Sequence, residues 1–166
     1  MVEVKAGRPE FDLQVRVVQL VQRACQSGCR LHASDARLLD VLLQASLNGL
    51  FTTKKQAFDA KRAGAKRGVA DLQLPLPRGP FHGLAVELKT KRGAVREEQR
   101  RYLTALSFDA GWLAVVMRER AAPAADLIVW YAGLPPHEVS AAYAAAAQRR
   151  AEWAQEAASR FGAELF

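Results

Sequence analysis

Residues 69–74 and 84–89 each carry apolar residues at every second position. Ala70, Leu72 and Leu74 interleave with Val69, Asp71 and Gln73, and Leu84, Val86 and Leu88 interleave with Ala85, Glu87 and Lys89. A period of two is the mark of a half-buried strand. Pro75, Pro77, Arg78-Gly79 and Pro80 make the segment between them a turn. A turn centred near Gly79 sets Asp71 opposite Glu87. Parity then puts Asp71, Glu87 and Lys89 on one face, with the leucines and Val86 on the other.

Other stretches carry a helical or buried-strand pattern. Residues 1–9 read as a frayed start. Pro9-Glu10 opens a helix to about Ser27, with Leu13, Val17, Leu20 and Val21 inward and Glu10 on the same stripe. Residues 34–47 are ambiguous: by propensity they suit a buried helix capped by Ser34. Thr53–Arg62 reads as a helix, with Gly64 and Gly68 in the loop beyond. After the Lys91-Arg92-Gly93 turn, a helix is expected from about Ala94 to Phe108, with Val95, Gln99, Tyr102 and Leu106 on one stripe. Trp112–Met117 and Asp126–Tyr131 are apolar runs that suit buried strands, joined by Ala121–Ala125 with Pro123. Pro135-Pro136 starts an alanine-rich helix through about Phe161. Its apolar side, with Trp153, Ala157 and Phe161, has no evident partner within the chain and is a candidate dimer contact.

Composition narrows the function. The chain has 166 residues and half of them are hydrophobic, enough for one domain with a real core. Lys plus Arg exceed Asp plus Glu by 24 − 17, a net charge of +7. A small basic domain points to a polyanion, most often nucleic acid. No apolar run is long enough to span a membrane, and no signal peptide is evident. Two cysteines make no disulfide framework, so a reducing cytoplasm is expected. Cys25, Cys29 and His32 lack an evident fourth ligand for zinc and read as ordinary packing or surface residues.

The chemistry concentrates on the strand pair. Two carboxylates side by side repel unless a cation sits between them, and hard oxygen ligands suit Mg²⁺ or Mn²⁺. Lys89 is placed to hold a water or neutralise a phosphate. A bare Asp…Glu-x-Lys triplet also fits a surface strand whose charges merely pair. Glu10 is either a first-turn charge favouring the helix dipole or a third metal carboxylate. Gln99 is a polar group on an inward line, suited to bonding a water or orienting Lys89. Between Lys54 and Arg67 lie six basic residues (Lys54, Lys55, Lys61, Arg62, Lys66, Arg67) and one acid, Asp59. With Lys91 and Arg92 they are candidates to hold a DNA backbone without reading its sequence.

Asp…Glu-x-Lys at the end of a hairpin is the signature of the PD-(D/E)XK nucleases. Four blocks resemble the VRR-NUC family of that superfamily: Gly68-Val69-Ala70-Asp71-Leu72, Phe81-His82-Gly83-Leu84, Val86-Glu87-Leu88-Lys89 and Glu98-Gln99-Arg100-Arg101-Tyr102-Leu103. Glu10-Phe11-Asp12-Leu13-Gln14 matches the family's Glu-x-x-Leu-Gln helix start. Ala70 stands where the family usually has Pro. The resemblance covers most of residues 10–118.

It implies a single α/β domain over 1–166, with a core of about 10–132 and an extra C-terminal helix of about 136–161. The expected core is a mixed sheet of four or five strands flanked by helices in αβββαβ order. Its first strand is expected close to Leu42–Ser46, just before Asn48-Gly49. The resemblance further implies a metal-dependent deoxyribonuclease. Asp71 and Glu87 would hold Mg²⁺ or Mn²⁺, with Glu10 and the backbone carbonyl of Leu88 as further ligands, while Lys89 positions a water and Gln99 steers it. Stand-alone relatives look like homodimeric endonucleases selective for branched or four-way-junction DNA. The alternative is a nucleic-acid- or partner-binding module that keeps the fold without catalysis.

Overall fold

The computed structural model describes residues 9–27, 31–46, 53–136 and 143–165. In chain order the elements are α1 (Pro9–Gln26), α2 (Ala33–Leu42), β1 (Gln44–Ala45), α3 (Lys54–Arg62), β2 (Leu72–Leu74) and β3 (Leu84–Lys89). Then come α4 (Glu97–Thr104), β4 (Leu113–Arg118), α5 (Ala121–Ala132), α6 (Tyr143–Phe161) and β5 (Glu164–Leu165). A π-helical turn, Ala105–Asp109, prolongs α4. The sheet has five strands in the order β1-β2-β3-β4-β5. Only β3 and β4 run parallel, joined through α4, while the other neighbours are antiparallel. The αβββαβ order is present, with α2 and α3 inserted and α5, α6 and β5 following.

The hairpin register is the one the turn chemistry predicts. Leu72 pairs with Val86 and Leu74 with Leu84, so the pairing is centred on Gly79. One face of the sheet carries the main core: Leu72, Leu74, Leu84, Val86, Leu88, Leu113, Val115 and Met117 pack with residues of α1 and α5. The other face carries a smaller cluster of Ala70, Ala85, Ala114, Val116 and Leu103 of α4. Alanines at three of these positions let α4 lie close to the sheet.

Three expectations for this region change. All six residues of β3 are buried, so the strand is covered on both faces rather than half-buried. Ala70 belongs to the small cluster and not to the leucine face, because the chain bends at Asp71 and β2 begins only at Leu72. The helix after the Lys91-Arg92-Gly93 turn starts at Glu97, not Ala94.

Asp126–Tyr131 is the C-terminal half of α5, not a strand. Continuous apolar character fits a helix buried nearly all round as well as a buried strand. Pro123 sits in the first helical turn, where its missing N–H removes no intrahelical bond.

The ambiguous 34–47 stretch divides into α2 and the short β1. His32, not Ser34, caps α2, its Nδ1 accepting from Ser34 N at 3.4 Å. Cys25 packs beside the main core, while Cys29 and Asn48-Gly49 lie outside the described residues. The α6 helix is described from Tyr143. Its apolar side has a partner after all: Trp130 of α5 meets Trp153 at 6.2 Å and Phe161 at 5.5 Å between ring centres, and Ala157 is fully buried. The face read as a dimer contact closes on the chain itself. Among the described residues no helix is long and apolar enough to cross a membrane.

Candidate active site

At the end of the hairpin Asp71 stands just before β2, and its main-chain carbonyl accepts from Ser46 N at 2.7 Å. Continuing the register would put residue 70 opposite Leu88, but β2 has already ended there. The Leu88 N–H instead donates to Asp71 Oδ2 at 2.8 Å, which fixes that carboxylate against β3. The Lys89 carbonyl accepts from Glu119 N on the β4 side. Backbone groups alternate along a strand, so the Leu88 carbonyl faces the Asp71 side.

Glu87 is fully buried in the centre of β3. Its Oε1 accepts from Lys89 Nζ at 2.7 Å and from Gln99 Nε2. Gln99 is in the first turn of α4, and its Oε1 accepts from Arg96 N at 2.9 Å. One end of the Gln99 amide therefore caps the helix while the other holds Glu87. Glu10, in the first turn of α1, reaches Lys89 Nζ at 3.5 Å. Two glycines permit this gathering. A Cβ on Gly93 would lie 3.0 Å from Glu10 Oε1. Gly68, at φ +83°, brings the loop so near α4 that a Cβ would stand 2.5 Å from the Glu98 carbonyl.

The electrostatics leave this cluster short of positive charge. Burial raises the Asp71 pKa, against the lowering by the Leu88 N–H and by Lys89. Burial, and next the Asp71 charge, push Glu87 up to about 7. Three carboxylates face one ammonium, a formal excess of two negative charges when all are ionised. Glu87 Oε2 is buried and has no hydrogen-bond partner among the described residues. A buried carboxylate oxygen left bare is costly. Asp71 and Glu87 would hold a divalent cation, whose charge and preference for hard oxygen donors fit this pair. Among the described residues no three His, Cys, Asp or Glu side chains stand ready-made in a metal-holding arrangement. Lys89 contacts both Glu87 and Glu10 in that space.

Asp71, Glu87, Lys89, Gln99, Glu10 and the Leu88 main chain are thus brought together. Lys54, Lys55, Lys61, Arg62, Lys66, Arg67, Lys91 and Arg92 are all exposed, on α3 and on the loops entering and leaving the hairpin. Tyr102, on the same stripe as Gln99, donates to Gln73 Oε1 at 3.1 Å and ties α4 to β2.

Gln14 has a role that its place in the helix-start motif did not disclose. It is buried, and its Nε2 donates to Ser46 O at 3.1 Å. The path Gln14–Ser46–Asp71 thereby fixes the Asp71 main chain from α1. Its spacing of four from Glu10 on one helix face was the available signal.

No protein-family model matches the chain, and no curated protein matches it. Among solved structures, one titled "VRR_NUC domain protein" superposes with a TM-score of 0.57 at 24% sequence identity, covering 80% of this chain and 95% of that one. The chain therefore has the fold of a VRR-NUC domain structure, as its hairpin and helix motifs predict.

Proposed function

We propose that this protein is a Mg²⁺- or Mn²⁺-dependent nuclease of the PD-(D/E)XK type that hydrolyses phosphodiester bonds in DNA. The observation that carries the reading is the buried Glu87, whose Oε2 has no hydrogen-bond partner among the described residues, beside Asp71, Glu10 and Lys89. Asp71 and Glu87 would hold the metal, with Glu10 and the Leu88 carbonyl as further donors. A bound divalent ion supplies Lewis acidity toward a phosphoryl oxygen and toward water.

The chain's own groups do the positioning. The Leu88 N–H aims Asp71, and Gln99 aims Glu87. Lys89 is buried and held by two carboxylates, and from there its ammonium can orient a water or meet a phosphate oxygen. The exposed basic residues of 54–67 and of the 91–92 turn hold the DNA backbone against the repulsion of the carboxylates. A homodimer acting as an endonuclease on branched DNA completes the proposal and rests on the resemblance to stand-alone VRR-NUC proteins. The whole chain is read as one domain, with α5 and α6 backing the core.

The test is incubation of purified protein with single-stranded, duplex, flap and four-way-junction DNA in Mg²⁺, Mn²⁺, Ca²⁺ or chelator. Cleavage in Mg²⁺ or Mn²⁺, with preference for the branched substrates and none in chelator, is expected. Cleavage undiminished in chelator overturns the metal site. Equal cutting of linear and branched duplexes overturns the branched-DNA selectivity.

A further inference from the structure

The helix α3 has no buried residue. It is stabilised by its own ends: Thr53 and Gln56 form a reciprocal capping box, and Lys61 and Arg62 occupy the last turn. Its one aromatic residue, Phe58, is 61% exposed. Every basic residue of the helix lies three or four positions from it: Lys54, Lys55, Lys61 and Arg62. Positions three and four apart share a helix face, so the aromatic side chain is flanked by cations on both sides. The Arg62 guanidinium lies over the Phe58 ring at 5.9 Å. With Asp59 the only acid, α3 carries a net charge of 4 − 1, or +3.

Phe58 contributes nothing to the core from this position. An aromatic face between phosphate-binding side chains is the arrangement that stacks an unpaired base while the cations track the backbone on either side. A bilayer is the poorer occupant, because one ring offers little apolar area to bury. Asp71 lies nine positions after Arg62, so the end of α3 is within about 30 Å of the carboxylate cluster even with the chain extended.

We propose that Phe58 is a stacking platform for an unpaired base, and that α3 selects DNA with a single-stranded segment next to the cleavage site. This rests on the nuclease reading and specifies the substrate feature it engages.

Fluorescence anisotropy with the full chain tests it, using a dT20 oligonucleotide, a duplex bearing a single-stranded flap, a blunt duplex, and anionic phospholipid vesicles as a separate arm. Phe58→Ala is expected to weaken binding of dT20 and of the flap by roughly 5- to 100-fold. Blunt-duplex binding is expected to stay within about twofold, since phosphate contacts are indifferent to the ring. Phe58→Trp is expected to retain wild-type affinity, and circular dichroism should show the same helix content in both variants. Unchanged binding of all three DNAs by Phe58→Ala overturns the proposal, as does an equal loss on all three. Vesicle binding that depends on Phe58, without DNA binding, also overturns it. A wild-type protein that neither binds nor cuts DNA overturns the nuclease reading itself. A wild-type protein that does both, with Phe58→Ala unchanged, overturns only the stacking platform.

Discussion

The burial of Glu87 has a consequence for stability that is measurable without any substrate. Burial and the Asp71 charge raise its pKa from 4.5 to about 7 in the folded protein. Folding therefore favours the protonated form. A group whose folded pKa lies above its unfolded value contributes stability that is fully present below the unfolded pKa and is lost as pH rises through the folded one. At about 1.4 kcal/mol per pH unit, the rise corresponds to about 3 kcal/mol lost across pH 4.5–7 in the metal-free protein. Asp71, raised in the same direction, adds to the slope. Urea unfolding in chelator at pH 5, 6, 7 and 8 measures it, and Glu87→Gln removes the titrating group. The difference between wild type and Glu87→Gln should change with pH in the direction that disfavours wild type at pH 8. Added Mg²⁺ should stabilise wild type far more at pH 8 than at pH 5, because protons compete for the same oxygens. A wild-type-minus-variant difference that is flat from pH 5 to 8 refutes the reasoning.

Three further outcomes follow from contacts elsewhere. Arg78 is buried, pairs with Asp35 at 2.5 Å and donates to the Ala132 carbonyl at 3.0 Å, so Arg78→Ala should cost about 3 kcal/mol in urea unfolding. A loss below about 1 kcal/mol would show that the pair holds little. Gln14→Leu releases Ser46 and with it the Asp71 main chain; kcat should fall about tenfold with KM little changed, and an unchanged kcat would remove Gln14 from the positioning path. Reversing the charges of Lys61, Arg62, Lys66 and Arg67 should weaken binding to every DNA sequence alike. It should also make the salt dependence shallower, by about 0.9 for each phosphate no longer neutralised. An unaltered slope would place the DNA backbone on another surface.

The register of the hairpin is legible because two independent signals agree on it: leucine or valine at alternate positions on both arms and turn residues that centre the pairing on Gly79. Parity puts Glu87 and Lys89 on one face, whereas Asp71 joins them where the chain bends before β2, its carboxylate held by the Leu88 N–H. Their burial does not follow from parity, because it depends on α4 folding over Ala85 and Ala114, and contact between distant segments is not written in a local pattern. The Asp126–Tyr131 half of α5 reads as a strand for a related reason. A helix covered by α1, α2 and α6 loses the polar face that would mark its period, and Ile128, Val129, Trp130 and Tyr131 also favour strands. The apolar side of α6 lacks an evident partner in the sequence only because its partner, Trp130, lies in that strand-like run. Arg78 reads as a turn residue, and nothing local distinguishes an exposed turn arginine from one buried against Asp35.

The most direct test of the carboxylate site is the rate of DNA cleavage in Mg²⁺ by wild type and by Asp71→Asn, measured side by side on a branched substrate. Asparagine keeps an oxygen to accept from the Leu88 N–H, so the hairpin end should stay folded while the charge that draws the metal is gone. Wild type is expected to cut, while Asp71→Asn should bind the same DNA with similar affinity and cleave it more slowly by a factor on the order of 1,000. Cleavage by Asp71→Asn at the wild-type rate would contradict this expectation.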